Sequence, residues 1–345
     1  MSDDSQVADS EEVYDDVNKK GTMSPQEVVD EIAKGGEQVI IDWHNIILKE
    51  PPKFDKFLDK VNALKNRYPN VILYDRSRVK LQGDKPGDDY YHASYVDSYE
   101  RPDGYILAQA PFDETTESDF WRMIYQTNAK LIVLLTDVHN REGNRLIKHF
   151  WPDSNANTRT YSHTQIKVEY TSCENIATCD LYNFVITGPA PSARTPFEIM
   201  MLHYRKWIED KAIPENLLEL RSEVKRWDLQ KTKRGITGPI CLMCPTGVHR
   251  SGTFAVLDIV LDRVCAEKKV AIDFTLTFRL QLEINKLYQE KGVKMVGLLE
   301  TASIVRKQRY GCMTHYSHYS CVADLIVRYA VATGIVDITR ISQKQ

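Results

Sequence analysis

A cysteine and an arginine separated by five residues, Cys244 and Arg250, form the most chemically suggestive pair in this chain of 345 residues. Ser251 follows the arginine directly. The N–H groups of a tight loop that opens a helix form an anion site, and their positive potential favours the thiolate form of a cysteine. Arg250 would hold two phosphate oxygens, and Ser251 would donate a hydrogen bond to the departing thiolate. The spacing therefore predicts attack of the Cys244 sulfur on phosphorus, followed by hydrolysis of the thiophosphate.

The segments on either side of this pair predict a strand, a loop and a helix in that order. Residues 239–244 are apolar and typical of a buried strand, and residues 251–265 are apolar with the length of a helix. Cys241 and Cys244 also form a Cys-x-x-Cys pair, which favours redox or zinc chemistry in other contexts. No second such pair exists, and strand residues three apart face opposite sides of a sheet. The phosphate loop is therefore the preferred interpretation.

The rest of the chain alternates strand and helix patterns, which predicts a single α/β domain: a twisted mixed sheet flanked by helices. We assign this domain to residues 23–338, between an acidic, disordered tail at residues 1–22 and a C-terminal tail at residues 339–345. A helix is expected to begin near Ser24. Residues 197–207 fit either a strand or a helix. The predicted strands are 71–74, 105–108, 131–135, 165–170 and 180–187, and the predicted helices are 54–64, 120–126, 217–227, 274–289 and 322–332.

Composition and charge limit the kinds of partner and the location that we expect. The net charge of −3 gives no sign of nucleic-acid binding, and no apolar run approaches the roughly 20 residues needed to span a membrane. Seven cysteines without a secretory signal indicate reduced thiols, so we expect a location in the cytoplasm or the nucleus.

Residues 238–254 resemble the signature loop of the classical protein tyrosine phosphatases, and we expect the non-receptor type. Further resemblances occur in the family's order, in segments 65–71, 74–79, 89–97, 105–111, 120–124 and 150–152, and the likeness extends from about residue 40 to 335. The resemblance implies that phosphotyrosine-containing proteins are the partners and that no metal or other cofactor is needed. Tyr68 would stack on the substrate ring, and Asn70 stands where the family has an Asp that holds the substrate backbone. The phosphate itself would be bound by Pro245, Thr246, Gly247, Val248, His249 and Arg250.

The general acid is harder to assign. Trp151-Pro-Asp153 spells the family's acid motif, but its position before the middle strands matches an ordinary structural Trp-Pro. The acid segment is expected a few dozen residues before Cys244, where the chain reads Trp-Ile-Glu-Asp. Alignment on Trp207 makes Glu209 the acid, whereas alignment on Pro214 makes it Asp210, which we slightly prefer. Either carboxylate suits protonation of the leaving tyrosyl oxygen.

Several positions depart from the family pattern. Met243 replaces a histidine, Pro245 lacks an N–H that would bind phosphate, and His249 replaces a small residue. Thr314 and His318 stand where the family has two glutamines that position the hydrolytic water. A repeat of potential zinc ligands in the same stretch is too closely spaced to complete a tetrahedral site unaided. It consists of Cys312, His315, His318 and Cys321.

Two functions follow from these observations. The first is a protein tyrosine phosphatase of reduced activity that works through a cysteinyl phosphate. The second is a pseudophosphatase that binds phosphotyrosine proteins as an adaptor or regulator. A dual-specificity or lipid phosphatase fits less well, because Tyr68 implies a deep pocket for phosphotyrosine.

Overall fold

The computed structural model describes residue 38 and residues 53–189, 196–208, 213–267 and 298–333. Several predictions lie outside these residues: both tails, the helix beginning near Ser24, the helix at 274–289, and the two acid candidates Glu209 and Asp210.

A nine-stranded mixed sheet forms the centre of the described part. Its strands are β1 (Arg78–Lys80), β2 (Tyr90–Val96), β3 (Tyr105–Gln109), β4 (Leu131–Leu134), β5 (Thr158–Tyr161), β6 (Ile166–Asn175), β7 (Asp180–Thr187), β8 (Phe197–His203) and β9 (Ile240–Cys244). They lie in the order β1-β2-β3-β9-β4-β8-β7-β6-β5. The four middle strands, β3, β9, β4 and β8, pair in parallel, and the outer strands pair antiparallel. Parallel strands are covered on both faces, which explains why all residues of β9 are apolar and buried.

Helices cover both faces of this sheet. The described helices are α1 (Asp55–Leu58), α2 (Glu114–Thr127), α3 (Leu217–Lys233), α4 (His249–Glu267), α5 (Leu298–Gln308) and α6 (Tyr316–Ala332). Residues of α3, α4, α5 and α6 share one hydrophobic core with Cys244, whereas residues of α2 share the core on the opposite face with Cys241 and Met243. The expected mixed sheet flanked by helices is therefore confirmed. No helix within the described ranges is long and apolar enough to cross a membrane.

Two predicted elements are wrong. The strand expected at 71–74 is irregular, and the first strand is Arg78–Lys80 instead. The helix expected at 54–64 is a single turn, α1, followed by a 3₁₀ turn at Ala63–Lys65. The chain turns extended at Asp59, with ψ of 126°, which ends α1. The ambiguous segment 197–207 begins as strand β8, because β4 and β7 pair with it on either side.

Candidate active site

Cys244 is the last residue of β9, a central strand between β3 and β4. The strand end is fixed on both sides: Ala110 N donates to Cys244 O at 3.0 Å, and Leu135 N donates to Met243 O at 2.8 Å. Cys244 is buried, at the carboxyl edge of the parallel strands, where α/β sheets usually bind ligands. The predicted strand, loop and helix are thus all present in the expected order.

The turn after Cys244 depends on a glycine. Gly247 has φ of +65°, and its N–H donates back to Cys244 O at 3.2 Å. A Cβ at this position would lie 2.3 Å from the backbone carbon of Ala108 on β3. Both the left-handed conformation and the close approach of two backbones therefore require glycine here.

Arg309, just after α5, binds backbone carbonyls of the same turn. Its Nε donates to Gly247 O at 3.0 Å and its Nη2 to Thr246 O at 3.3 Å, so the buried guanidinium satisfies two loop carbonyls. Desolvation by burial lowers the pKa of Arg309 to about 10, still far above neutral pH. Arg309 was not identified from the sequence as part of the site.

Arg250 opens α4, and protein groups hold one side of its guanidinium. Its Nη1 donates to Thr136 Oγ1 at 2.6 Å and to Leu135 O at 3.4 Å, while Nη2 donates to Ile208 O at 3.2 Å. Both Nη1 hydrogens therefore bond to the two residues that follow β4. The edge formed by Nε and the second Nη2 hydrogen has the geometry that matches two oxygens of a phosphate.

Thr246 gives the loop an internal acceptor that the sequence prediction did not anticipate. Its Oγ1 accepts from Val248 N at 3.2 Å and from His249 N at 3.4 Å, and it lies 3.7 Å from Cys244 Sγ. Two loop N–H groups of the predicted anion site thus point at a hydroxyl oxygen of the chain itself. An incoming phosphate oxygen would have to compete with that hydroxyl for them.

The residues next to Cys244 and Arg250 differ in their surroundings. Met243 is buried in the core on the face opposite Cys244 and packs as an ordinary strand residue. Pro245 is half-buried and has no N–H to offer. Ser251 is fully buried, and its Oγ has no hydrogen-bond partner among the described residues.

The predicted recognition residues lie on a segment tied to the strand beside the loop. Gln109 on β3 is in register with Cys244, and its Oε1 accepts from Arg67 N at 2.9 Å. The Arg67 guanidinium carbon lies 5.1 Å from the centre of the Tyr68 ring. Tyr68 is half-buried and Asn70 is exposed.

The two residues at the expected glutamine positions differ in their surroundings. Thr314 is exposed, and its hydroxyl donates to Gly311 O at 2.7 Å and accepts from Arg306 Nη1 at 3.1 Å. His318 is only 1% exposed, and its Nδ1 lies 2.8 Å from Thr253 Oγ1.

Asp153 in the misplaced acid motif is a turn residue. Its carboxylate accepts from Asn155 N at 2.8 Å and Ala156 N at 3.2 Å, beside the buried Trp151. Across the described ranges, no group of three or more His, Cys, Asp or Glu side chains is arranged to hold a metal ion.

A nucleophile-bearing central strand, a glycine turn and an arginine at the start of the next helix define a class of cysteine-dependent phosphate-binding folds. Sequence comparison specifies the class further: the family described as protein-tyrosine phosphatase matches residues 62–328. The chain therefore belongs to the protein-tyrosine phosphatase family.

Relatives in the comparison are named as receptor-type proteins. Receptor-type tyrosine-protein phosphatase zeta of Rattus norvegicus is 36% identical over 217 residues, which cover 61% of this chain and 9% of the relative. Receptor-type tyrosine-protein phosphatase C of Homo sapiens is 34% identical over 254 residues, covering 70% of this chain and 18% of the relative. The chain thus spans less than a fifth of the length of either relative.

Proposed function

We propose that this domain is a protein tyrosine phosphatase that hydrolyses phosphotyrosine in proteins through a cysteinyl-phosphate intermediate, at a reduced rate. The Cys244 sulfur would attack phosphorus, the tyrosyl oxygen would leave with a proton from Glu209 or Asp210, and water would then release phosphate.

The observation that carries this proposal is the arrangement of Arg250. Thr136, Leu135 and Ile208 accept hydrogen bonds from its Nη1 and Nη2, which fixes the orientation of the guanidinium on the helix that follows Cys244. Such a preorganised guanidinium stabilises phosphoryl transfer because it needs no rearrangement as charge develops.

A second candidate function is a pseudophosphatase that captures phosphotyrosine proteins without turnover. It is favoured by the Thr246 hydroxyl, which accepts from two loop N–H groups, and by Pro245, which removes a third donor. Both features weaken the stabilisation of a transferring phosphoryl group while leaving Arg250 in place.

The deciding experiment compares the full chain with its Cys244→Ser and Arg250→Ala variants on one phosphotyrosine peptide. We expect the wild type to release phosphate faster than Cys244→Ser, with both proteins binding the peptide and Arg250→Ala binding it much more weakly. Equal phosphate release by the wild type and Cys244→Ser would favour the pseudophosphatase. Equal binding by Arg250→Ala and the wild type would overturn both candidates.

The general acid is tested separately with Glu209→Gln and Asp210→Asn. General acid catalysis is worth about 10²- to 10⁴-fold in rate, and it matters only when the leaving group needs a proton. The variant of the true acid should therefore lose activity on phosphotyrosine but much less on an aryl phosphate with an acidic phenol. The other variant should behave as the wild type on both substrates.

We further propose phosphotyrosine-containing proteins as substrates and the cytoplasm or nucleus as the site of action. None of the seven cysteines forms a disulfide, which supports a reducing compartment. Assignment to the non-receptor type also remains a proposal, resting on the motif resemblance, since the relatives described above are named as receptor-type proteins.

A further inference from the structure

Residues from three separate parts of the chain form a closed ring of contacts beside the phosphate loop. On α4, Arg250 donates to Ile208 O at 3.2 Å, and Thr253, three positions later, lies 2.8 Å from His318 Nδ1 on α6. The His318 ring packs against Trp207, with ring centroids 6.0 Å apart. Trp207 precedes Ile208 directly, so the ring closes on the carbonyl that Arg250 binds.

The direction of the hydrogen bond between Thr253 and His318 follows from the hydroxyl's single hydrogen. Thr253 Oγ1 donates to His249 O at 2.7 Å, within α4. The hydroxyl therefore accepts from His318, and Nδ1 of His318 carries a hydrogen. This fixes the orientation of the imidazole against Trp207.

The burial of His318 does not suit the water-positioning role expected at the family's glutamine position. Thr253 and Trp207 are fully buried and His318 is 1% exposed, whereas Thr314, at the other expected glutamine position, is exposed. A side chain buried to that extent is poorly placed to hold a hydrolytic water. It is well placed to fix its neighbours.

We infer that His318 is a positioning residue: through Thr253 and Trp207 it fixes the Ile208 carbonyl that orients Arg250, and so acts on phosphate binding and the first chemical step. The inference rests on the proposed function. It assigns His318 to a different step from the glutamine that the family resemblance placed there.

The test uses pairs of variants that separate hydrogen bonding from packing. Thr253→Val removes the acceptor at nearly constant volume, and Thr253→Ser keeps the hydroxyl as the matched control. His318→Phe keeps a ring against Trp207 but removes the donor. Thermal melting of each variant establishes that it folds, and should His318→Phe fail to fold, the two Thr253 variants carry the test alone.

Two activity readouts assign the step. Losing one hydrogen bond in the ring should weaken phosphopeptide binding in the Cys244→Ser background by about 5-fold. Thr253→Val and His318→Phe should show this loss and a slower burst of phosphoenzyme, with hydrolysis of the phosphoenzyme unchanged. Their double variant should be no worse than the poorer single variant, because both remove the same interaction. Thr253→Ser should match the parent protein.

A structural readout keeps the inference separate from the function. The Nε–H NMR resonance of Arg250, assigned by its loss in Arg250→Lys, should shift in Thr253→Val and not in Thr253→Ser. A wild type that fails to bind phosphotyrosine would overturn the proposed function, and this shift would still report on the positioning role. Unchanged resonance and binding in Thr253→Val, or an effect confined to phosphoenzyme hydrolysis, would overturn the inference.

Discussion

Arg309 Nη2 lies 2.9 Å from His92 Nδ1, with both side chains fully buried. Arginine has no acceptor, so His92 Nδ1 must accept, and its Nε2–H donates to Val71 O at 2.8 Å. Desolvation, with a smaller contribution from the Arg309 charge, lowers the pKa of His92 to about 3. A neutral histidine therefore joins the segment after Tyr68 to the arginine that supports the phosphate loop.

Removing the Arg309 guanidinium should lower both the stability of the domain and its affinity for phosphopeptide. Arg309→Met leaves Gly247 O, Thr246 O and His92 Nδ1 without their donor, so we expect a stability loss of about 3 kcal/mol. Phosphopeptide binding should fall at least about 10-fold, since the loop carbonyls lose their anchor. Urea unfolding and a binding titration in the Cys244→Ser background measure the two effects.

Arg306→Met is the matched control for this change. Arg306 is also buried and donates to Cys312 O and Thr314 Oγ1, but it makes no hydrogen bond to residues 244–250 among the contacts described. It should lose stability with a much smaller loss of binding. Equal binding losses in both variants would contradict a specific role for Arg309.

Two buried histidines, His92 and His203, are neutral in the native state, so we expect the protein to lose stability at acid pH. Burial lowers the pKa of His203 to about 4, and its Nε2–H donates to Thr136 O at 2.9 Å. An unfolded histidine titrates near 6.5, so below that pH the unfolded state binds protons that the native state does not. Stability should therefore fall as the pH drops from about 6.5 towards 4, by about 2 kcal/mol for His203 alone at pH 5.

The measurement is urea unfolding of wild type, His203→Gln and His163→Gln at pH 7 and pH 5. His203→Gln should show a smaller pH-dependent loss than the wild type, whatever its stability at pH 7. His163, half-exposed near Asp88, serves as the control and should leave the difference unchanged. The same pH dependence in all three proteins would refute the assignment to His203.

Thr136 should matter for phosphopeptide binding because its hydroxyl holds Nη1 of Arg250. It is fully buried, and its hydroxyl accepts from Arg250 Nη1 while donating to Asp137 O at 3.1 Å. Thr136→Val keeps the shape and removes the acceptor, so phosphopeptide affinity should fall about 10-fold. Thr136→Ser should stay within about 2-fold, since the hydroxyl remains. Equal affinities for the two variants would show that Arg250 needs no such support.

The contiguous part of the site could be predicted from sequence, and the parts brought together by folding could not. Cys244 to Arg250 is a local strand, turn and helix, so spacing and residue type were sufficient. Thr136 and Arg309 lie 114 and 62 residues from their partners in the site, and only the sheet order and the packing of α5 bring them there. The contacts of Thr246 are local. Threonine hydroxyls often accept from the backbone N–H groups two and three residues further on, so this contact could have been predicted from the sequence.

Removing the Thr246 hydroxyl should improve anion binding. Thr246→Ala removes the hydroxyl oxygen that competes with phosphate for the N–H groups of Val248 and His249. We expect affinity for inorganic phosphate to rise about 3- to 10-fold, with Thr246→Ser unchanged, as measured by calorimetry. Weaker binding by Thr246→Ala would instead show that the hydroxyl itself assists the ligand.

The position of the loop on the central parallel strands has an evolutionary consequence. Gly247 packs against β3, Arg309 binds two loop carbonyls, and β3 and β4 pair with the strand that ends at Cys244. Mutation therefore cannot easily remove the loop without disturbing the centre of the sheet. A general acid, by contrast, need not take part in these contacts to do its work. Lineages that lose turnover should therefore pass through a stage in which they still bind phosphotyrosine. An antagonist that shields phosphorylated partners is a more accessible descendant of such an enzyme than an inert protein.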